Sequence, residues 1–90
     1  MRIEYDPVKN ARNIALRGLS FELAGEFEWN SALIAEDRRK DYGEPRFIAV
    51  GLLHGRLHVV VFSPRGQSVR IVSLRRANGR EVRRYDESKA

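Results

Sequence analysis

Polar and apolar residues alternate through Arg2-Ile3-Glu4-Tyr5, a period of two that predicts a short strand. Asp6-Pro7 then marks a helix start: aspartate caps free backbone N–H groups, and proline fits the first helical position, where no N–H partner is needed. The helix is expected to run to about Leu16, with Val8, Ala11 and Ala15 spaced for one inward face, and to stop at Gly18. Ser20 is placed to cap a second short helix in which Phe21, Ala24 and Phe27 share a face to which Leu23 adds. The chain changes direction between Trp29 and Leu33, where Asn30-Ser31 has turn chemistry, and Ala32 to Ala35 begins an edge strand.

The pattern changes after the Asp41–Pro45 loop. Phe47 to Leu52 reads as a strand apolar on both faces, His54-Gly55 as a hairpin turn, and Leu57 to Phe62 as a central strand. Ser63 to Gln67 makes the next turn and Val69 to Arg75 a further strand, giving an antiparallel meander. Asn78, with Glu81 three residues on, has the form of a capping box and opens a final helix through Tyr85, although Gly79 in its first turn weakens it. A strand, two helices, a three- to four-stranded antiparallel sheet and a closing helix make an α+β fold. Ninety residues suffice for one such domain, 1–90, and not for two cores.

Composition removes several chemistries. With no cysteine there is no disulfide framework, thiol nucleophile or Cys-ligated metal, and two histidines exclude a three-His metal site. No cofactor is expected: a Gly-rich phosphate loop ending in Lys-Ser/Thr is missing, and the serines lack a base and orienter for triad chemistry. No apolar run is long enough to span a bilayer and no signal-like segment opens the chain, so a cytoplasmic protein without membrane partners is expected. The carboxylates Glu36, Asp37, Asp41 and Glu44 read as solvated loop groups.

Charge is uneven along the chain. Residues 1–45 hold seven Lys/Arg against nine Asp/Glu, whereas residues 46–90 hold ten against three, nine of the ten being arginine. Guanidinium presents a planar fork of donors matched to phosphate oxygens, so the asymmetry points first to nucleic acid and second to an acidic protein. On the last strand, Arg70, Val72, Leu74 and Arg76 share one face if no bulge intervenes, and Val69, Ile71, Ser73 and Arg75 share the other. Arg65 lies at the turn beside Gly66, and on the last helix Arg80 and Arg84 share a face while Glu81 and Tyr85 share the adjacent one. RNA cleavage needs a base, cations on the phosphate and an acid. Arginine supplies the cations, Glu81 is the carboxylate nearest the cluster, His58 lies in an apolar run, His54 sits at a turn, and Lys9 or Tyr85 could assist.

Taken in order, these residues resemble the BrnT family, the ribonuclease half of BrnT/BrnA type II toxin–antitoxin pairs. The resemblance spans about Ile3 to Tyr85. It rests on Tyr5-Asp6-Pro7 with Lys9 and Asn13, Gly18 with Phe21 and Ala24, and Asp37-Arg38 followed by Tyr42-Gly43-Glu44 and Arg46. It continues through Gly51, Gly55-Arg56, Val59 to Phe62, Arg65-Gly66, Arg70 to Ser73 with Arg75 and Ala77, and Glu81 with Arg83 and Tyr85. It implies a RelE-like fold, metal-independent RNA cleavage that lowers translation, and a BrnA-like ribbon-helix-helix antitoxin through which alone the toxin meets operator DNA. Transferred to this chain, it implies Arg65, Arg75, Glu81 and Tyr85 as catalytic residues: the arginines on phosphate, Glu81 accepting or orienting a proton, and Tyr85 stacking or positioning. Lys9, Arg46, Arg56, Arg70, Arg76 and Arg83 would contact RNA. A non-catalytic nucleic-acid-binding module and a degenerate toxin serving as antitoxin-binding corepressor are the alternatives. One departure is Leu16-Arg17-Gly18, where the family commonly has Lys-His-Gly; if that histidine serves catalysis it is lost here, and if it only closes the helix Arg17 replaces it.

Overall fold

In the computed structural model, which describes all 90 residues, the strands are β1 (Arg2–Tyr5), β2 (Leu33–Glu36), β3 (Phe47–Leu53), β4 (Arg56–Arg65) and β5 (Ser68–Arg76). They form one sheet in the order β1-β5-β4-β3-β2. The α+β class holds, but the sheet has five strands and is mixed. β2 to β5 pair antiparallel, and β1 pairs parallel with β5. A parallel partner from the far end of the chain leaves no local turn signal, so the meander alone was legible.

Helix α1 (Pro7–Arg17) opens on Asp6, whose side chain accepts from the Val8 amide, and closes on Gly18 at φ 69°. Its packing departs from the periodicity. Val8, Ala11 and Ala15 face solvent, and the only buried helix residue is Asn13. Asn13 Nδ2 donates to the carbonyls of Leu19 (2.9 Å) and Leu74 (2.8 Å), and Asn10 Oδ1 accepts from the Phe21 amide (2.8 Å). β1 pairs with β5 only from Ser68 to Ile71. Asn13 therefore satisfies a β5 carbonyl beyond the end of β1, and α1 docks through amide hydrogen bonds rather than an apolar stripe.

The second helix is 3₁₀ in form, Phe21–Glu26, capped by Ser20, and a further 3₁₀ turn, Trp29–Ser31, reverses the chain. These segments drive Phe21, Ala24 and Phe27 into one sheet face, against Ala49, Leu53, Val60, Phe62, Ile71 and Leu74. Trp29 packs edge-on to both Phe27 and Phe62, at centroid distances of 4.8 and 5.1 Å, and its indole N–H donates to the Ala24 carbonyl. Gly51 lies beneath them: a Cβ there would stand 2.8 Å from Phe27 Cζ, so only glycine fits.

His54 (φ 52°) and Gly55 (φ 77°) make the expected two-residue hairpin turn. β4 runs on through Pro64 and Arg65, so the next turn is Gly66-Gln67 and shorter than the five residues its composition suggested. Helix α2 (Gly79–Lys89) begins at a complete capping box between Asn78 and Glu81 and continues a turn beyond Tyr85. It packs across β3 on the sheet face opposite the core, which explains why β3 is apolar on both sides.

Candidate active site

Residues paired across a sheet share a face. Val61 pairs with Ser73 and Phe62 with Ile71, which leaves Val72 without a partner as a β-bulge. The extra residue resets the alternation. Ile71 and Leu74 both enter the core, while Arg70, Ser73 and Arg75 emerge together on the α2 side. Arg76, opposite His58, falls on the core side of the sheet. The uninterrupted pattern had put Arg70 with Arg76 and apart from Arg75; the bulge brings Arg70 and Arg75 together instead.

Arg75 meets α2 at its first turn. Its Nη1 and Nη2 donate to Glu81 Oε1 and Oε2, both at 2.8 Å, a parallel two-bond geometry that fixes the guanidinium plane. Glu81 Oε1 also accepts from the Asn78 amide while the Asn78 side chain accepts from the Glu81 amide, both at 2.9 Å. One carboxylate thus caps the helix and orients the arginine. The Arg75 hydrogen bond, with the Asn78 amide, holds the Glu81 carboxyl below its ordinary range despite partial burial, and Glu81 in turn raises the Arg75 pKa. With 37% of its side chain exposed, Arg75 keeps donors free toward solvent.

Tyr85 does not offer its ring. It is 9% exposed beneath α2, and its hydroxyl donates to the Ser31 carbonyl at 3.3 Å. This corrects the stacking role: Tyr85 anchors the helix that carries Glu81. Arg65 lies on the same sheet face but six positions along β4 from Val59, the partner of Arg75, about 20 Å at strand rise. It pairs with Glu44 at 2.7 Å, and Arg70 lies 3.8 Å from Glu4. The dearth of acid near these arginines in sequence is therefore corrected in space, because the N-terminal half folds its carboxylates over them.

The remaining candidates divide. Lys9 lines a shallow depression with Arg12, Arg17, Val72 and Ser73, where Arg17 Nη1 donates to Asn13 Oδ1. Arg46 stacks on the Tyr42 ring at 3.9 Å and is half-buried. Arg56 and Arg76 stand together at the β3–β4 hairpin end, beside His54 and His58, away from Arg75. Arg83 is on the exposed side of α2. His58 is buried, with Nδ1 2.8 Å from the Arg56 carbonyl, and His54 contacts Glu26 at 2.7 Å. Neither histidine reaches the Arg75 face.

Two groups escaped the sequence reading. Asp37 is not solvated: it is 5% exposed and held in two hydrogen bonds by the Arg39 guanidinium. Arg84 stands with Glu81 over an apolar groove of Leu33, Ala35, Ile48 and Val50. The Asp-x-Arg spacing was visible, but burial of its carboxylate was not, because it depends on where the loop between β2 and β3 folds.

Acid sensitivity follows from these pairs. Glu81, Glu44 and Asp37 are all held below their ordinary pKa by an arginine hydrogen bond. As pH falls, the unfolded chain takes up protons before the folded one. Stability is therefore level from pH 7 to about 5 and declines progressively on further acidification. Urea unfolding at stepped pH is expected to show this decline, and Glu81→Gln, nearly the same size but unable to titrate, is expected to flatten part of it.

A family model described as the ribonuclease toxin BrnT of type II toxin–antitoxin systems matches residues 5–81. The chain belongs to the BrnT family. A similar fold is found in the crystal structure of the ribonuclease toxin BrnT from Brucella abortus, solved at 1.1 Å, with a TM-score of 0.70 and 28% sequence identity. That match covers 87% of this chain and 97% of the Brucella one. No curated protein sequence matches at a comparable level. Family membership makes this a ribonuclease toxin of a type II pair, with an antitoxin as partner and RNA as substrate. No helix is long and apolar enough to cross a membrane.

Proposed function

We propose that this toxin cleaves RNA without a metal ion, by internal attack of a ribose 2′-hydroxyl on the adjacent phosphorus, and so lowers translation. The P–O2′ bond forms as the P–O5′ bond breaks; the 2′-hydroxyl gives its proton to water and the departing O5′ takes one back from water, leaving a 2′,3′-cyclic phosphate and a 5′-hydroxyl. The observation that carries the reading is Arg75, turned by the bulge onto the α2 face and aimed by both oxygens of Glu81. A preorganised guanidinium stabilises the charge that grows on the phosphoryl oxygens in the transition state, with no reorganisation at the moment of reaction.

Glu81 is the orienter in this scheme. A carboxylate acidified by Arg75 is a weak proton acceptor, so charge stabilisation outweighs general base catalysis at this position. Tyr85 keeps α2, and with it Glu81, at the right height over the sheet. Arg70 and Arg65 extend the cationic path along the same face, and Lys9 and Arg46 flank it. Phosphates entering that path would compete with Glu4 and Glu44 for the arginines. Arg56, Arg76 and Arg83 stay outside it. The partner we propose is a ribbon-helix-helix antitoxin of the BrnA type, which carries the operator DNA contacts.

Induced expression, alone and with the neighbouring gene, tests the reading. Expression alone is expected to arrest growth and fragment RNA, and coexpression to restore both. In vitro, new RNA ends are expected in the presence of EDTA. Salt-sensitive RNA binding by folded protein, with intact RNA, would instead identify a binding module.

A further inference from the structure

The long β2–β3 connection, residues 37–46, holds a buried anion that Arg75 chemistry does not use. Asp37 continues β2 beyond Glu36, and its amide donates to the Arg46 carbonyl at 2.7 Å. Glu36 pairs with Phe47, so the next position turns to the α2 face of the sheet, the face that carries Arg75. The Asp37 carboxylate accepts from Arg39 Nε and Nη2, both at 2.8 Å, from the Arg39 amide at 3.2 Å and from the Tyr42 hydroxyl at 3.1 Å. The Arg46 guanidinium stands over the Tyr42 ring, 3.9 Å from its centroid.

The two partners differ sharply in exposure. The Asp37 side chain is 1% exposed and that of Arg39 is 75% exposed. Desolvating a carboxylate to grip an exposed arginine is a poor stability device, since exposed ion pairs contribute little and buried carboxylates are costly. It is an effective aiming device. Asp37 occupies the Nε–Nη2 edge of the guanidinium and leaves the Nη1–Nη2 edge, with one N–H from each nitrogen, for a ligand. That free edge has the shape of a two-oxygen phosphate contact.

We propose that Arg39 is a second phosphate-binding cation of the RNA site, on the sheet face of Arg75, and that Asp37 is the positioning residue that aims it. The inference rests on RNA being the substrate. Asp37 stands on the sheet face that carries Arg75, and the Arg39 charge lowers the proton affinity of Arg75 while Glu81 raises it. Two cations on one sheet face favour a polyanion laid across it.

The full-length toxin tests this with a short single-stranded RNA and its 2′-deoxy counterpart, which lacks the attacking hydroxyl. Arg39→Gln is expected to lower kcat ten- to hundredfold. It is also expected to reduce the slope of log affinity for the 2′-deoxy strand against log salt by about 0.7, the loss of one phosphate contact. Arg38→Gln, the same charge change at an adjacent exposed residue paired with Glu36, is the control expected to leave kcat unchanged. Asp37→Asn is expected to lower kcat while sparing the salt slope, because the cation remains but is no longer aimed. If that variant does not fold, Tyr42→Phe removes one Asp37 donor without a cavity and is expected to give a smaller kcat loss. Cleavage and salt slope of Arg39→Gln equal to those of Arg38→Gln would overturn the inference while leaving the nuclease reading intact, provided Arg75→Ala is inactive. A parent protein that cuts no RNA would sink the nuclease reading, and the salt slope alone would then decide Arg39.

Discussion

Arg75→Ala is expected to slow RNA cleavage by ~10²–10³-fold, the loss typical when a single preorganised donor is removed from a developing oxyanion. Binding of an uncleavable strand should fall far less, because Arg75 is one of several cations along β5 and its loss removes one phosphate contact. Arg75→Lys is not expected to rescue. An ammonium is a point charge, unable to hold both oxygens of Glu81 at 2.8 Å and still present an oriented edge to phosphate. Glu81→Gln should fall between the parent and Arg75→Ala, since the amide retains the helix cap but grips the guanidinium less tightly. Cleavage rates and strand affinities measured on the same folded preparations check the series. Equal losses of rate and affinity at Arg75 would reduce it to a phosphate anchor.

The second large effect is on stability. Asn13→Ala is expected to destabilise the protein by about 2–4 kcal/mol, because it strips donors from the carbonyls of Leu19 and Leu74, at about 1–3 kcal/mol for each buried group left unsatisfied. That is a large part of the roughly 5–15 kcal/mol that holds a small domain together. Asn13→Asp is nearly the same shape and should be no better at neutral pH, where a carboxylate would face two carbonyl oxygens. Val8→Ser, on a residue 67% exposed, should change stability by no more than about 0.5 kcal/mol. Chemical denaturation of the three variants separates an amide-docked helix from one held by an apolar stripe; a larger loss at Val8 than at Asn13 would overturn the account of α1.

How the chain discloses its structure depends on the range of the interaction. The Asp6 and Asn78 caps, the Gly18 stop and the His54-Gly55 turn are decided within a few residues, and each was legible. So were the runs that become β3 and β4, whose burial on both sides leaves an apolar stretch. The docking of α1 was not, because Val8, Ala11 and Ala15 mimic an inward face while the contacts that matter belong to two asparagines reaching distant carbonyls. The parallel pairing of β1 with β5 joins positions 66 residues apart and leaves no local trace.

The site shows the same division. The Arg75–Glu81 pair lies six residues apart across a strand–helix junction, and the capping box already fixed where the carboxylate would sit. Arg65 was grouped with Arg75 because both belong to the cationic half, yet a strand length separates them. In sequence, Asp37 and Arg39 have the look of a solvated loop pair. Only the folded loop reveals that Tyr42 and Arg39 enclose it.

The unpaired Val72 carries a lesson for comparing relatives. A homologue whose last strand lacked that extra position would need a one-residue gap there to stay in step with this chain. Aligned without the gap, Arg76 would occupy the column belonging to Arg75, and a bystander on the wrong side of the sheet would be credited with the chemistry.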